Sequence, residues 1–93
     1  MSKEFKIDID KETSKGQYSN LAVISHTPTE FFIDFVLAQP QGVSQVVARI
    51  ITNPRHAKAL AHSLLDNIRK YEEKFGEIPD MPLPSGLPEG PQA

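Results

Sequence analysis

The stretch NPRHAKALAHSLLDNIRKYEEKFG, from Asn53 to Gly76, carries both of its own boundary signals. Asn53 suits an N-cap, because its side-chain oxygen can accept a free backbone N–H of the first turn. Pro54 follows at the first helical position, where a fixed φ helps and the missing N–H costs nothing. Gly76 stands where a left-handed residue closes a helix, and Pro79 forbids continuation. Between these ends Ala57, Ala61, Leu64, Ile68, Tyr71 and Phe75 recur at alternating spacings of four and three, with Leu60 and Leu65 widening the stripe. The pattern predicts one helix of about 22 residues, roughly 33 Å long, with a single apolar face.

Upstream of the helix the period drops from helical to alternating. Val43 to Thr52 (VSQVVARIIT) reads as a strand that leads straight into the cap, and Glu30 to Leu37 (EFFIDFVL) as another, aromatic and β-branched throughout. Gln39-Pro40-Gln41-Gly42 turns the chain between them. Tyr18 to Ser25 is a further strand, closed by the turn His26-Thr27-Pro28-Thr29. Phe5, Ile7 and Ile9 alternate with Lys6, Asp8 and Asp10, the pattern of a half-exposed edge strand. Lys11 to Lys15 is a polar connection, and Gly16 supplies a turn or bulge. Strands first and one long helix after them predict an α+β fold. Its expected form is a four-stranded antiparallel β-meander followed by one long C-terminal α-helix packed on one sheet face. Residues 1–78 make up this single domain, and residues 79–93, with prolines at 79, 82, 84, 88 and 91, form a flexible tail.

The turns also predict a register. Centring the hairpins on Thr27-Pro28 and Pro40-Gln41 places Ala22, Ile24, Phe31, Ile33, Phe35, Leu37, Val46, Ala48 and Ile50 on a first face. Leu21, Val23, Phe32, Val36, Val47 and Ile51 share the second face with Ser25, Glu30, Asp34, Gln45 and Arg49. The first face is continuously apolar and suits the helix stripe. The second has an apolar centre inside a polar ring, too large a patch for one helix to leave bare on a monomer. A second copy of the chain is its preferred cover. An apolar segment of another polypeptide, or the chain's own Met81, Leu83 and Leu87, would serve the same end. Leu21, Val23, Phe32, Val36, Val47 and Arg49 are therefore the candidate interface or client-binding residues.

Composition narrows the function. The chain has 93 residues, room for one domain. It has no cysteine, so no disulfide, thiolate nucleophile or zinc-thiolate site, which fits a reducing compartment. No apolar run approaches the ~20 residues of a membrane helix, and MSKEFKIDID has acids where a signal peptide is apolar. A cytoplasmic protein with no membrane partner is expected. Ten basic against twelve acidic residues weaken the case for nucleic acid.

Few residues invite chemistry. His56 and His62 point to different sides of the helix, and His26 lies in a turn, so no metal site is expected. Arg55, His56 and Lys58 crowd the helix start, where free N–H groups favour an anion; they form a candidate anion-binding site. Asp34 and Arg49 share the second face one step off directly opposite, an ion pair that fixes register or a subunit contact. Asp66 with Lys70 and Arg69 with Glu73 are ordinary helix-surface pairs. Ser25-His26 lacks a nucleophile elbow and an oxyanion loop. Phosphate loops and dinucleotide fingerprints are missing too, so neither catalysis nor a cofactor is expected.

Four segments in order, GQYSN (Gly16 to Asn20), SHTPTEFFIDF (Ser25 to Phe35), ARIITNPRHAKAL (Ala48 to Leu60) and NIRKYEEKFGEI (Asn67 to Ile78), together resemble a prokaryotic family, the domain of unknown function 3467. That resemblance implies a short single-domain protein with no assigned activity and no catalytic residues to carry over. A fainter, fold-level resemblance is to the export chaperone SecB, which sets a four-stranded antiparallel sheet before a long helix and assembles into tetramers. FGEIPDMPLP (Phe75 to Pro84) looks like the segment after that family's main helix, although a second long helix and the acidic patch for the translocation motor are missing here. The topology is equally similar to single-strand-binding Whirly and PUR domains. The expected role is a non-catalytic protein-interaction module, homodimeric or tetrameric and chaperone-like in binding apolar polypeptide segments. A single-stranded nucleic-acid binder is the alternative.

Overall fold

The computed structural model describes residues 5–82. Its elements in order are α1 (Lys11–Ser14), β1 (Leu21–His26), β2 (Phe31–Leu37), β3 (Gln45–Thr52) and α2 (Pro54–Phe75). The caps of α2 act as their chemistry predicts. Asn53 Oδ1 accepts the backbone N–H of His56 at 2.7 Å, and Pro54 opens the first turn. At the far end Gly76 adopts φ +97°, and its N–H donates to the carbonyl of Glu72 at 3.0 Å. A side chain at that φ would be strained, so glycine is required there.

The strands form one antiparallel sheet in the order β1-β2-β3. Ser25 stands opposite Phe32, and Asp34 opposite Arg49, so each hairpin is offset by two residues from its turn-centred expectation. Side chains alternate with a period of two, and an offset of two leaves every residue on its own face. The faces hold except beyond a bulge at Phe35/Val36, where Val46 rather than Val47 pairs with Val36, and Gln45 pairs with Leu37. Val47 is the extra residue of the bulge. Asp34 and Arg49 are therefore directly opposite, not one step apart.

Two further expectations are corrected. Among the described residues the sheet has three strands, and the alternating stretch from Phe5 to Asp10 is not one of them. Its apolar side chains lie open, Phe5 being 88% exposed and Ile7 80%. The polar connection after it is a helical turn instead, because Asp10 caps α1 by accepting from Glu12 N and Thr13 N, each at 3.1 Å. The four-strand sheet behind the SecB comparison is thus not present among the described residues.

Nor is α2 packed on a sheet face. None of its residues is buried, and the strands pack chiefly on one another. The joint between strand and helix is short. Only Asn53 separates β3 from α2, with the extended backbone usual at an N-cap (φ −86°, ψ 162°). The side chain of Thr52 pins the corner from the strand side, with Oγ1 2.6 Å from His56 Nδ1. The buried apolar core of the described chain consequently comes down to Ile33 and Val36, on opposite faces of β2. Of the Pro-rich tail, residues 79–82 are described and carry no helix or strand, and residues 83–93 lie outside the described part.

Candidate functional site

The second sheet face is built around the middle strand. Phe32, Asp34 and Val36 alternate along β2, flanked by Leu21 and Val23 of β1 and by Arg49, Ile51 and Val46 of β3. Arg49 forks onto Asp34, with Nε 2.7 Å from Oδ1 and Nη2 2.8 Å from Oδ2. Its guanidinium also lies over the ring of Phe32, 5.6 Å from the centroid. One cation thereby joins a carboxylate and an aromatic face, the two groups a planar guanidinium matches best.

The fork sets the protonation of the pair. Hydrogen bonds from Arg49 hold the Asp34 carboxyl below its ordinary value, against burial that pushes it upward, and the same bonds raise Arg49. A carboxylate so committed is a poor proton acceptor for catalysis. What remains for contact is apolar. Leu21, Val23 and Phe32 are half-buried, Ile51 and Val46 more than half exposed, and Val36 nearly covered. Of the six candidate interface residues, five share this face by register, and Val47 sits in the bulge beside them.

The candidate anion site at the start of α2 divides in the same way. Asn53, Pro54, Arg55 and His56 line a shallow, open depression. Yet the His56 ring is taken by Thr52, and its backbone N–H by Asn53. Arg55 and Lys58 are exposed with no acid in the first turn to balance them. His26 stacks on Phe31 across the first face, centroids 5.4 Å apart. Among the described residues no three His, Asp or Glu side chains are grouped to hold a metal ion, and no helix is long and apolar enough to cross a membrane.

Sequence reasoning missed one residue that shapes this surface. Asn20 was expected inside a strand; instead its side chain extends the ladder just before β1. Its Oδ1 accepts from Ala38 N at 2.8 Å, its Nδ2 donates to Ala38 O at 3.2 Å, and its own N–H reaches Val36 O at 3.1 Å. An amide side chain can imitate a backbone peptide in this way because it carries one acceptor and a donor in one plane. The signal was an Asn just ahead of an apolar run.

A family model described as "Protein of unknown function (DUF3467)" matches residues 1–80. No curated protein and no solved structure matches the chain significantly. The likeness to SecB is not supported by these comparisons, and the described sheet has three strands rather than the four it rested on. With most of its length matched, the chain belongs to the DUF3467 family.

Proposed function

We propose that this protein is a self-associating interaction module whose core is completed by a second copy of the chain. The observation that carries the reading is the mismatch between two apolar surfaces and a core of two residues among those described. Ile24 and Ile50 on the first sheet face, with Leu60, Leu64, Leu65, Tyr71 and Phe75 on α2, each remain 40% to 65% exposed. Half-exposed side chains of roughly 150–200 Å² apiece amount to on the order of 600 Å² of apolar surface per chain. Two chains pairing these surfaces would bury about 1,200 Å², the lower end of stable interfaces. At about 25 cal/mol per Å² that is a large gain beside the marginal stability of any small domain. The stripe of α2 has the length and pattern to seat on the first sheet face of a partner, the contact its own chain forgoes at Asn53.

The second face then stays available for an apolar polypeptide segment, with Leu21, Val23, Phe32 and Val36 as the contact and Arg49 at its rim. Single-strand nucleic-acid binding is disfavoured by the same pair, since Arg49 is neutralised by Asp34 and few other cations lie on the sheet. Light scattering over a concentration series tests the assembly. A folded monomer at tens of micromolar, a rough working range for obligate association, overturns it. Fluorescence anisotropy with a labelled unfolded polypeptide and a labelled mixed-sequence oligonucleotide separates the two ligands. Polypeptide binding that persists with salt supports the reading, and strand binding that fades with salt reverses it.

A further inference from the structure

We infer that the segment Phe5 to Asp10 is an exchanged strand, which adds to the free edge of β1 in a second copy of the chain. The inference rests on the self-association proposed above and names one of its contacts. Phe5, Ile7 and Ile9 alternate with Lys6, Asp8 and Asp10 and are 88%, 80% and 63% exposed. No backbone hydrogen bond ties residues 5–9 to another element among the described residues. Five residues with a strand's period, Phe5 to Ile9, thus have no backbone partner among the described residues, while the Asp10 carbonyl already accepts from Ser14 N in α1.

The complementary vacancy is the outer edge of β1. Its residues, Leu21 to His26, bear no Asp, Glu, Lys or Arg, and among the described residues pair only with β2. Long uncharged edges are templates for pairing, which proteins ordinarily blunt or cover. Within the single chain the connection from Lys11 to Asn20 is held at both ends and the segment does not pair with that edge. Asp10 caps α1 with its carboxylate on Glu12 N, Thr13 N and the Thr13 hydroxyl, the last at 2.6 Å. The clamp from Asn20 to Ala38 fixes the other end of the connection. With both ends of this ten-residue connection held, the unpaired segment and the uncovered edge are the two halves that exchange between protomers would join.

The face pattern also fixes the register. In the antiparallel sense of the rest of the sheet, Ile7 stands opposite Ile24, Phe5 opposite His26 and Ile9 opposite Ala22. That alignment sets the three apolar side chains on the first face beside Ile24, which is 58% exposed. A slip of one residue would set them beside Leu21 and Val23, which are already half-buried.

The absence of native cysteine makes cross-linking the direct test. Two single variants, Ile7→Cys and Ile24→Cys, one of them affinity-tagged, are mixed as full-length proteins, equilibrated and oxidised. Both positions are exposed, and circular dichroism checks that each variant is folded; Ala22→Cys replaces Ile24→Cys if that one is not. A disulfide joining the tagged and untagged chains is expected as the dominant product. A third protein carrying both substitutions in one chain is oxidised alongside, and a disulfide that forms within that chain while the mixed single variants form none overturns the exchange. So does no disulfide at all from Ile7→Cys with Ile24→Cys, Ala22→Cys or His26→Cys. Either result, obtained with a wild type that is still a dimer, leaves self-association standing; a monomeric wild type removes both proposals.

Discussion

Arg49 stands directly across from Asp34 and holds it with two nearly parallel hydrogen bonds, while its guanidinium covers Phe32. The pair ties the two longest strands at the middle of the second face. Lysine keeps the charge but cannot fork or stack as arginine does. Arg49→Lys should therefore lower the melting midpoint by roughly 4 °C, a modest loss because the arginine is half exposed. Thermal melts followed by circular dichroism check this, and an unchanged midpoint would mean that the fork is not stabilising.

The same pair gives the protein an acid limit. Arg49 depresses Asp34, and the Thr13 hydroxyl, ahead of the backbone N–H groups, depresses Asp10. A depressed carboxyl contributes stability above its unfolded value, near pH ~4, and loses it as pH falls through the folded value. Urea midpoints should be level near neutrality and decline below roughly pH 4. Asp34→Asn should flatten part of that decline. A decline of the same steepness in the variant would assign the acid sensitivity to other groups.

On the helix, Leu64 lies at the middle of the stripe and is 59% exposed in the single chain. Leu64→Asp would leave an unpaired charge inside the proposed contact, where burial is strongly unfavourable. Sedimentation should show the dimer dissociating, or unfolding with it, whereas Lys58→Ala outside the stripe should leave assembly intact. Val47→Asp, in the bulge of β3, separates the faces. If it leaves the dimer whole while weakening polypeptide binding, the first face holds the copies and the second holds the client.

Asn53→Ala removes the acceptor for His56 N and should cost about 1 kcal/mol. The loss should appear as a lower urea midpoint with an unchanged slope. No loss would mean that water or Thr52 can cap α2 equally well.

Asn20→Asp is a sharper change than its size suggests. The carboxylate keeps an acceptor for Ala38 N but faces the Ala38 carbonyl with a second acceptor in place of the amide donor. A loss of about 1–2 kcal/mol is expected from the broken bond and the repulsion. Amide exchange at Ala38 and at Asn20, whose N–H reaches the Val36 carbonyl, should quicken first. Uniform protection in the variant would show the clamp to be dispensable.

What the sequence made legible follows from its periods and punctuation. Asn53, Pro54 and Gly76 marked α2 to the residue, and EFFIDFVL located β2 within one residue. The faces of the sheet came through because both turn-centred guesses missed by two, a full period. The bulge at Val47 did not, since no glycine or proline marks it and its cause lies in the pairing of two strands. The stripe on α2 was read as facing its own sheet, although a periodic stripe says only that something covers it. The single-residue link at Asn53 was visible in the sequence, but its length was not read as bearing on that packing. Phe5 to Asp10 illustrates the same limit, because alternation identifies a strand and leaves its neighbour unnamed.

The joint at Asn53 has a mechanical consequence. A strand that passes into a helix through one residue, with a cap on one side and the Thr52–His56 contact on the other, makes a stiff lever arm. Over the roughly 33 Å of α2, a tilt of about 10° at the joint would carry Phe75 some ~6 Å sideways. Inserting one residue there would turn the whole apolar stripe by about 100° about the helix axis. Asn53 thus works as an aiming point, and the angle at one peptide decides where the far end of the protein lands.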